Sequence, residues 1–198
     1  MSKEYLLKVE NLSCIRNNNL IFKKLSLTLY PGEFALVEGE NGSGKTSFFL
    51  CIANVVTNYS GNIFIKKNMN NLGYVGHKNA LSETETIREF FSFWSQIYNY
   101  KRNYEHIVEY FTLSNFLEMP IGILSFGQKK KLSFARLIMM RSKIWLLDEP
   151  ISGLDHNTKK IIINLIKKHL EKGGGVLATS HQRLNYFGRK KTKRVYID

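Results

Sequence analysis

Cysteine is scarce in this chain of 198 residues, with two in all. Cys14 and Cys51 form no metal-ligand or redox spacing, so ordinary reduced thiols are expected. Long apolar runs are missing too. No stretch reaches the ~18 uninterrupted apolar residues that a membrane helix needs. Even Ile161 to Ile166 contains Asn164 and runs into two lysines. At the N-terminus, Met1-Ser-Lys-Glu-Tyr-Leu-Leu-Lys-Val-Glu interrupts its apolar residues with charges, so no signal peptide is expected. If the protein serves transport, the pore must belong to another chain. Acidic residues are also few, 16 against 29 Lys and Arg, which leaves a formal charge of +13. That excess fits either a phosphate-rich partner or a Lys- and Asn-rich composition spread over solvated faces. The basic residues are scattered, apart from Lys129-Lys130-Lys131 and Arg189-Lys190-Lys191 with Lys193-Arg194, and they are not interleaved with aromatics. The second reading is therefore preferred, with a weak attraction to anionic membrane surfaces and no nucleic-acid partner expected. Internal repeats, sustained heptads and low-complexity linkers are absent.

What remains is a globular composition, 43% hydrophobic and 23% charged, of a length that suits one domain. Leu6 to Leu12 and Ile21 to Leu29 alternate in part and predict strands near a sheet edge. Phe34 to Glu38, Ile144 to Leu147 and Val176 to Thr179 are short apolar runs, as expected of buried parallel strands. Ile63 to Ile65, Leu72 to Val75 and Val195 to Ile197 also look strand-like, and residues 59–62 read as a turn. From Thr84 to Leu117 the pattern is helical and rich in aromatics, among them Phe90, Phe91, Phe93, Trp94 and Tyr98. A cofactor box is conceivable there, but the core of a small helical subdomain is the simpler reading. Ser125 reads as the cap of a helix reaching about Arg141, and a further helix spans about Asn157 to Lys172. Strands alternating with helices imply a parallel sheet with its ligand at the strand ends.

Chemistry concentrates in a few motifs. Gly39-Glu40-Asn41-Gly42-Ser43-Gly44-Lys45-Thr46 matches the phosphate-binding loop pattern, follows a predicted strand and opens a helix. Small residues let successive backbone N–H groups cradle phosphate oxygens beside a helix N-terminus. Lys45 adds a point charge for the outer phosphates, the Thr46 hydroxyl is placed to ligand Mg2+, and Ser47 completes the nucleotide-binding set. Asp148 and Glu149 end the strand from Ile144; Asp148 is expected to hold Mg2+, directly or through water, and Glu149 to orient the attacking water. A carboxylate pair at a strand end can also merely cap the next helix. His181, in Thr179-Ser180-His181-Gln182, reads by itself as a packed or solvent-facing residue; beside a nucleotide it can donate to the γ-phosphate.

Between loop and acidic strand end lies Leu124-Ser125-Phe126-Gly127-Gln128, and Ser152-Gly153-Leu154-Asp155 follows. With these motifs in order, the chain resembles the ABC transporter ATPases: a signature at Ser125, Gly127 and Gln128, a D-loop at Asp155 and a switch histidine at His181. The resemblance implies an α/β P-loop NTPase fold with a mostly parallel sheet core and antiparallel edge strands. It also implies a single domain over residues 1–198, with a helical subdomain over about residues 83–141. Its activity would be hydrolysis of ATP with Mg2+, and its active form a homodimer sandwiching two ATPs. Each nucleotide would meet one protomer's loop and the partner's signature. Two departures narrow the family. Gly73-Tyr-Val-Gly76-His77 stands where a glutamine is usual, making His77 a further candidate toward the metal. Arg16 stands where an adenine-stacking aromatic is usual, and its guanidinium plane can stack instead. Both, with Thr-Ser-His-Gln and the short length, resemble the CcmA-type ATPase of bacterial cytochrome c maturation, the haem-exporter ATPase. Membrane permease subunits as partners, a peripheral place on the cytoplasmic face of the bacterial inner membrane, and no direct haem binding follow from that resemblance. Lipoprotein release, small-solute transport and a soluble ABC ATPase are the rival assignments.

Overall fold

The computed structural model describes residues 4–16, 18–66, 72–180 and 192–197. By compactness the chain divides into two units. One comprises Met1–His77, Ser142–Pro150 and Leu165–Asp198; the other comprises Lys78–Arg141 and Ile151–Asn164.

The first unit holds two sheets. Strands β1 (Leu7–Arg16), β2 (Asn19–Leu29) and β4 (Tyr59–Ile65) form an antiparallel sheet of their own, ordered β2-β1-β4. The alternating burial of the central strand β1 turns one of its faces inward, the pattern expected of an antiparallel sheet covered on one side. Residues 59–62 are strand and not the turn that the sequence suggests. Gly61, at φ 96°, faces an irregularity in β1, and a Cβ there would lie 2.5 Å from the Asn11 carbonyl oxygen. The glycine serves a close backbone approach within the sheet, which local sequence cannot distinguish from a turn.

The second sheet is parallel, in the order β5-β6-β7-β3-β8. Its strands are β3 (Phe34–Glu38), β5 (Leu72–Val75), β6 (Ile144–Leu147), β7 (Gly175–Thr179) and β8 (Thr192–Tyr196). All residues of β6 and β7 are buried, which is why β6, and β7 as far as Ala178, read as apolar runs. Helix α1 (Lys45–Ile52) buries Phe48, Phe49, Cys51 and Ile52. These residues share one core with Leu7, Leu12, Cys14 and Phe22 of the antiparallel sheet and with Ala35, Val37, Ile144 and Leu177 of the parallel one. Phe22 meets Phe48 edge to face at 5.6 Å, tying β2 to the loop helix.

The second unit is helical, with α2 (Ile87–Ile97), α3 (Glu105–Tyr110), α4 (Phe126–Met140) and the first part of α5 (His156–Glu171). Thr86 and Glu89 form a capping box at the start of α2. The aromatic residues pack on one another: Phe91 stacks on Tyr104 at 5.1 Å and Trp94 on Tyr98 at 5.3 Å, with the Arg136 guanidinium over Trp94. Lys129 to Lys131 depart from the expectation of solvated charge. Lys130 is fully buried and Lys131 nearly so, with their ammonium groups over the Phe126 ring and on Thr112 Oγ1 respectively. Position on α4 turns these two stems inward, and desolvation pushes the Lys131 pKa down.

Candidate functional site

Strand β3 delivers the chain into the glycine-rich loop, and α1 begins at Lys45. Gly44 precedes the helix at φ 98°, a left-handed conformation that a side chain resists, and a Cβ there would come within 2.5 Å of Ile21 Cγ2. The loop is thus clamped against β2. Lys45 is buried, its Nζ donating to the carbonyls of Gly39 at 2.8 Å and Glu40 at 2.6 Å. Its ammonium therefore lies within the loop's own curve rather than in solvent. Asn41 and Gly42 are exposed at the tip, as are Glu40 and Thr46, while Ser47 is half-buried in the first turn. The Ser43 hydroxyl is buried and has no hydrogen-bond partner among the described residues. A buried hydroxyl without a partner is costly, so a phosphate oxygen there would satisfy it.

The acidic strand end comes to the same place. Thr46 Oγ1 donates to Asp148 Oδ2 at 2.7 Å, while Thr179 Oγ1 donates to Asp148 Oδ1 at 2.6 Å. Both carboxylate oxygens are held. The Glu149 amide donates to Thr179 Oγ1 at 3.0 Å, and Glu149 itself has φ 50°. The Tyr74 hydroxyl faces Asp148; burial first, and then that carboxylate, pushes the phenol up to about 12. His77 Nδ1 lies 3.7 Å from Glu149 Oε2, which places the imidazole beside the second carboxylate. A hydroxyl and a carboxylate 2.7 Å apart are hard oxygen donors suited to Mg2+, which commonly completes its shell with water and substrate phosphates. Among the described residues no cluster of three or more His, Cys, Asp or Glu offers an all-protein metal cage.

Ser125, Gly127 and Gln128 open α4 in the helical unit. Ser125 caps the helix as its sequence context predicts: the Gln128 amide donates to Ser125 Oγ at 3.2 Å and the Ser125 amide to Gln128 Oε1 at 2.8 Å. A Cβ on Gly127 would approach Thr158 Oγ1 and Asp155 Oδ2, so this helix start packs closely on the start of α5. Asp155 caps α5, accepting from the Thr158 amide at 2.9 Å; hydrogen bonds from the Thr158 side chain first, and then from that amide, hold its carboxyl below the usual range. That capping role was not evident from the motif alone. Arg16 is exposed at the end of β1. His181 lies outside the described residues. Thr179 and Tyr74 also belong to this site, and no sequence motif singles either of them out. For Thr179 the sequence signal is a hydroxyl at the end of an otherwise apolar strand.

A family model described as "ABC transporter" matches residues 22–152. A relative from Wolbachia pipientis wMel is 35% identical over 185 residues, covering 89% of each chain; its name is "Cytochrome c biogenesis ATP-binding export protein CcmA". Relatives with the same name from Reclinomonas americana and Rhizobium meliloti (strain 1021) are 31% and 32% identical, each covering 93% of this chain and 89% and 95% of the relative. Among solved structures, one described as "Structure of ATP binding subunit of ABC transporter" superposes with a TM-score of 0.85. It covers 97% of this chain and 88% of that one at 20% identity, a likeness of fold.

Proposed function

The chain belongs to the ABC transporter ATP-binding family and, within it, to the CcmA-type cytochrome c biogenesis proteins, and on that premise we propose how its site works and what it serves. It is the ATPase subunit of a membrane export complex for c-type cytochrome biogenesis, driving haem export or its release to a periplasmic haem chaperone. The observation that best supports the ATPase part of this reading is the hydrogen bond from Thr46 to Asp148, which joins the phosphate loop to the acidic strand end; the export part rests on the relatives.

The loop's N–H groups, the Ser43 hydroxyl and the Lys45 ammonium bind the β- and γ-phosphates of ATP. Thr46 and Asp148 would hold Mg2+, which neutralises charge on those phosphates when bound. Glu149 accepts a hydrogen bond from the attacking water and aims its oxygen at the γ-phosphorus; ADP and phosphate are the products. His181 is the candidate donor to the γ-phosphate, and Arg16 the candidate surface for adenine. His77, beside Glu149, helps set that carboxylate's orientation.

A second protomer is the first partner. Its Ser125, Gly127 and Gln128 would face the γ-phosphate bound on the opposing loop, with Asp155 nearby, so that closure depends on ATP and opening follows hydrolysis. Residues 1–198 then act as one ATPase domain carrying a helical subdomain. No helix among the described residues is long and apolar enough to cross a membrane, so integral permease subunits would supply the path. The protein would sit peripherally on the cytoplasmic face of the inner membrane.

Two measurements test this. Glu149→Gln should retain ATP, stop turnover and accumulate a closed dimer; turnover at the wild-type rate would remove Glu149 from its role. Cells lacking the chain should lose covalent haem attachment to c-type cytochromes. Normal cytochrome levels would overturn the export assignment and leave the ATPase standing.

A further inference from the structure

Strand β7 reads Gly175-Val-Leu-Ala-Thr179, and the last residue is its one hydroxyl. Thr179 is fully buried. At such a position valine has the same shape, favours strands at least as well and needs no hydrogen bond. A hydroxyl there requires partners, and it has two. It donates to Asp148 Oδ1 at 2.6 Å and accepts from the Glu149 amide at 3.0 Å. From this geometry we infer that Thr179 is a positioning residue for ATP hydrolysis. Its single hydroxyl sets the plane of the metal-side carboxylate and the backbone of the water-side one together. The inference rests on the ATPase reading above.

Sheet register explains how one residue serves both. β7 lies between β6 and β3, with Leu147 opposite Ala178 and Val37 opposite Thr179. Thr179 is therefore level with the residue that follows Leu147, namely Asp148. With Oδ1 tied to Thr179, the Asp148 carboxylate cannot rotate about its last torsion without breaking a charge-assisted bond, and Oδ2 stays directed at Thr46. The next residue needs help of another kind. Glu149 is a non-glycine residue at φ 50°, a conformation that costs energy unless its surroundings hold it. Its amide bond to the Thr179 hydroxyl is such a restraint. It fixes the point from which the Glu149 side chain departs.

The test uses the full chain co-purified with its membrane subunits, in the forms wild type, Glu149→Gln, Thr179→Val and Thr179→Ser. Thr179→Val should lower kcat about tenfold or more while KM moves about threefold or less, because binding by the loop is untouched. In titrations, the gain in ATP affinity on replacing EDTA with Mg2+ should shrink by about twofold to threefold, within that limit on KM, whereas affinity in EDTA should stay as in the wild type. Thr179→Ser keeps the hydroxyl and should restore both readouts. Wild-type kcat in Thr179→Val overturns the inference. So does a folded Thr179→Ser as impaired as Thr179→Val, since the methyl group would then be what counts. Should Thr179→Val not fold, Thr179→Ser decides alone: near wild-type kcat and Mg2+ gain support the hydroxyl's role, and their loss in a folded protein ends it. Wild-type turnover that survives Glu149→Gln is a different failure, that of the ATPase reading itself.

Discussion

Thr46 Oγ1 and Asp148 Oδ2 meet at 2.7 Å although 102 positions separate them in the chain. The bond joins the first turn of α1 to the end of β6, so the phosphate loop and the acidic motif form one object. Thr46→Val removes the hydroxyl and keeps the shape. ATP affinity in Mg2+ should fall about tenfold, and affinity in EDTA should change little, as calorimetric titration can show. Equal losses in both conditions would mean that Thr46 contacts the nucleotide and not the metal.

Lys45 places its ammonium on two loop carbonyls, at 2.8 and 2.6 Å. Lys45→Ala removes the charge meant for the outer phosphates and also leaves the Gly39 and Glu40 carbonyls without their donor. Nucleotide binding should drop about a hundredfold or more, since charged hydrogen bonds are each worth roughly 1.5–3 kcal/mol. The unfolding midpoint should fall as well. Retained affinity in fluorescence titration would count against the loop as the phosphate site.

Ser125 has a structural duty that can be separated from a functional one. Its side chain and that of Gln128 close a capping box on α4. Ser125→Ala should cost about 1 kcal/mol of stability, visible as a lower thermal midpoint. Ser125→Asp keeps a good cap and should recover most of that stability, yet its carboxylate would repel a γ-phosphate across a dimer interface. ATP-dependent dimerisation, followed by size-exclusion chromatography with Glu149→Gln in the background, should be lost in Ser125→Asp. Dimerisation that persists would remove Ser125 from the partner's ATP.

His169 provides a pH handle on stability. Its ring stacks on Trp145 at 3.8 Å, and burial drives its pKa from 6.5 down to about 4, helped by the charges of Lys143 and Lys172 and opposed by backbone groups of Lys143 and Gly175. A ring held neutral when folded and free to protonate when unfolded stabilises the native state fully above pH 6.5. That contribution is lost as pH falls from 6.5 toward 4, by about 3 kcal/mol in all, with no further loss from this group below. Denaturant titrations across this range should show the decline, and His169→Phe should flatten it. An unchanged pH slope in that variant would place the acid sensitivity elsewhere.

Some of this protein is legible in its sequence alone. The apolar runs of β3 and β6 coincide with strands because burial on both faces leaves no room for polar residues. Ser125 announces a helix start because a cap needs only partners three residues away. The glycine-rich loop declares itself because its backbone geometry is written in consecutive residues. Other features are silent in one dimension. Residues 59–62 look like a turn until β1 is beside them, and Lys130 looks solvated until α4 is oriented. Thr179 looks like the polar end of a strand until β6 brings Asp148 to its hydroxyl.

The sequence by itself determined the chemical inventory and the local scaffolds, because capping, turn geometry and apolar periodicity act over a few residues. Only the tertiary structure decided which groups meet: Thr46 with Asp148, Thr179 with Asp148 and Glu149, His77 with Glu149. Those meetings depend on the order and register of parallel strands, a long-range outcome of packing that no local pattern encodes.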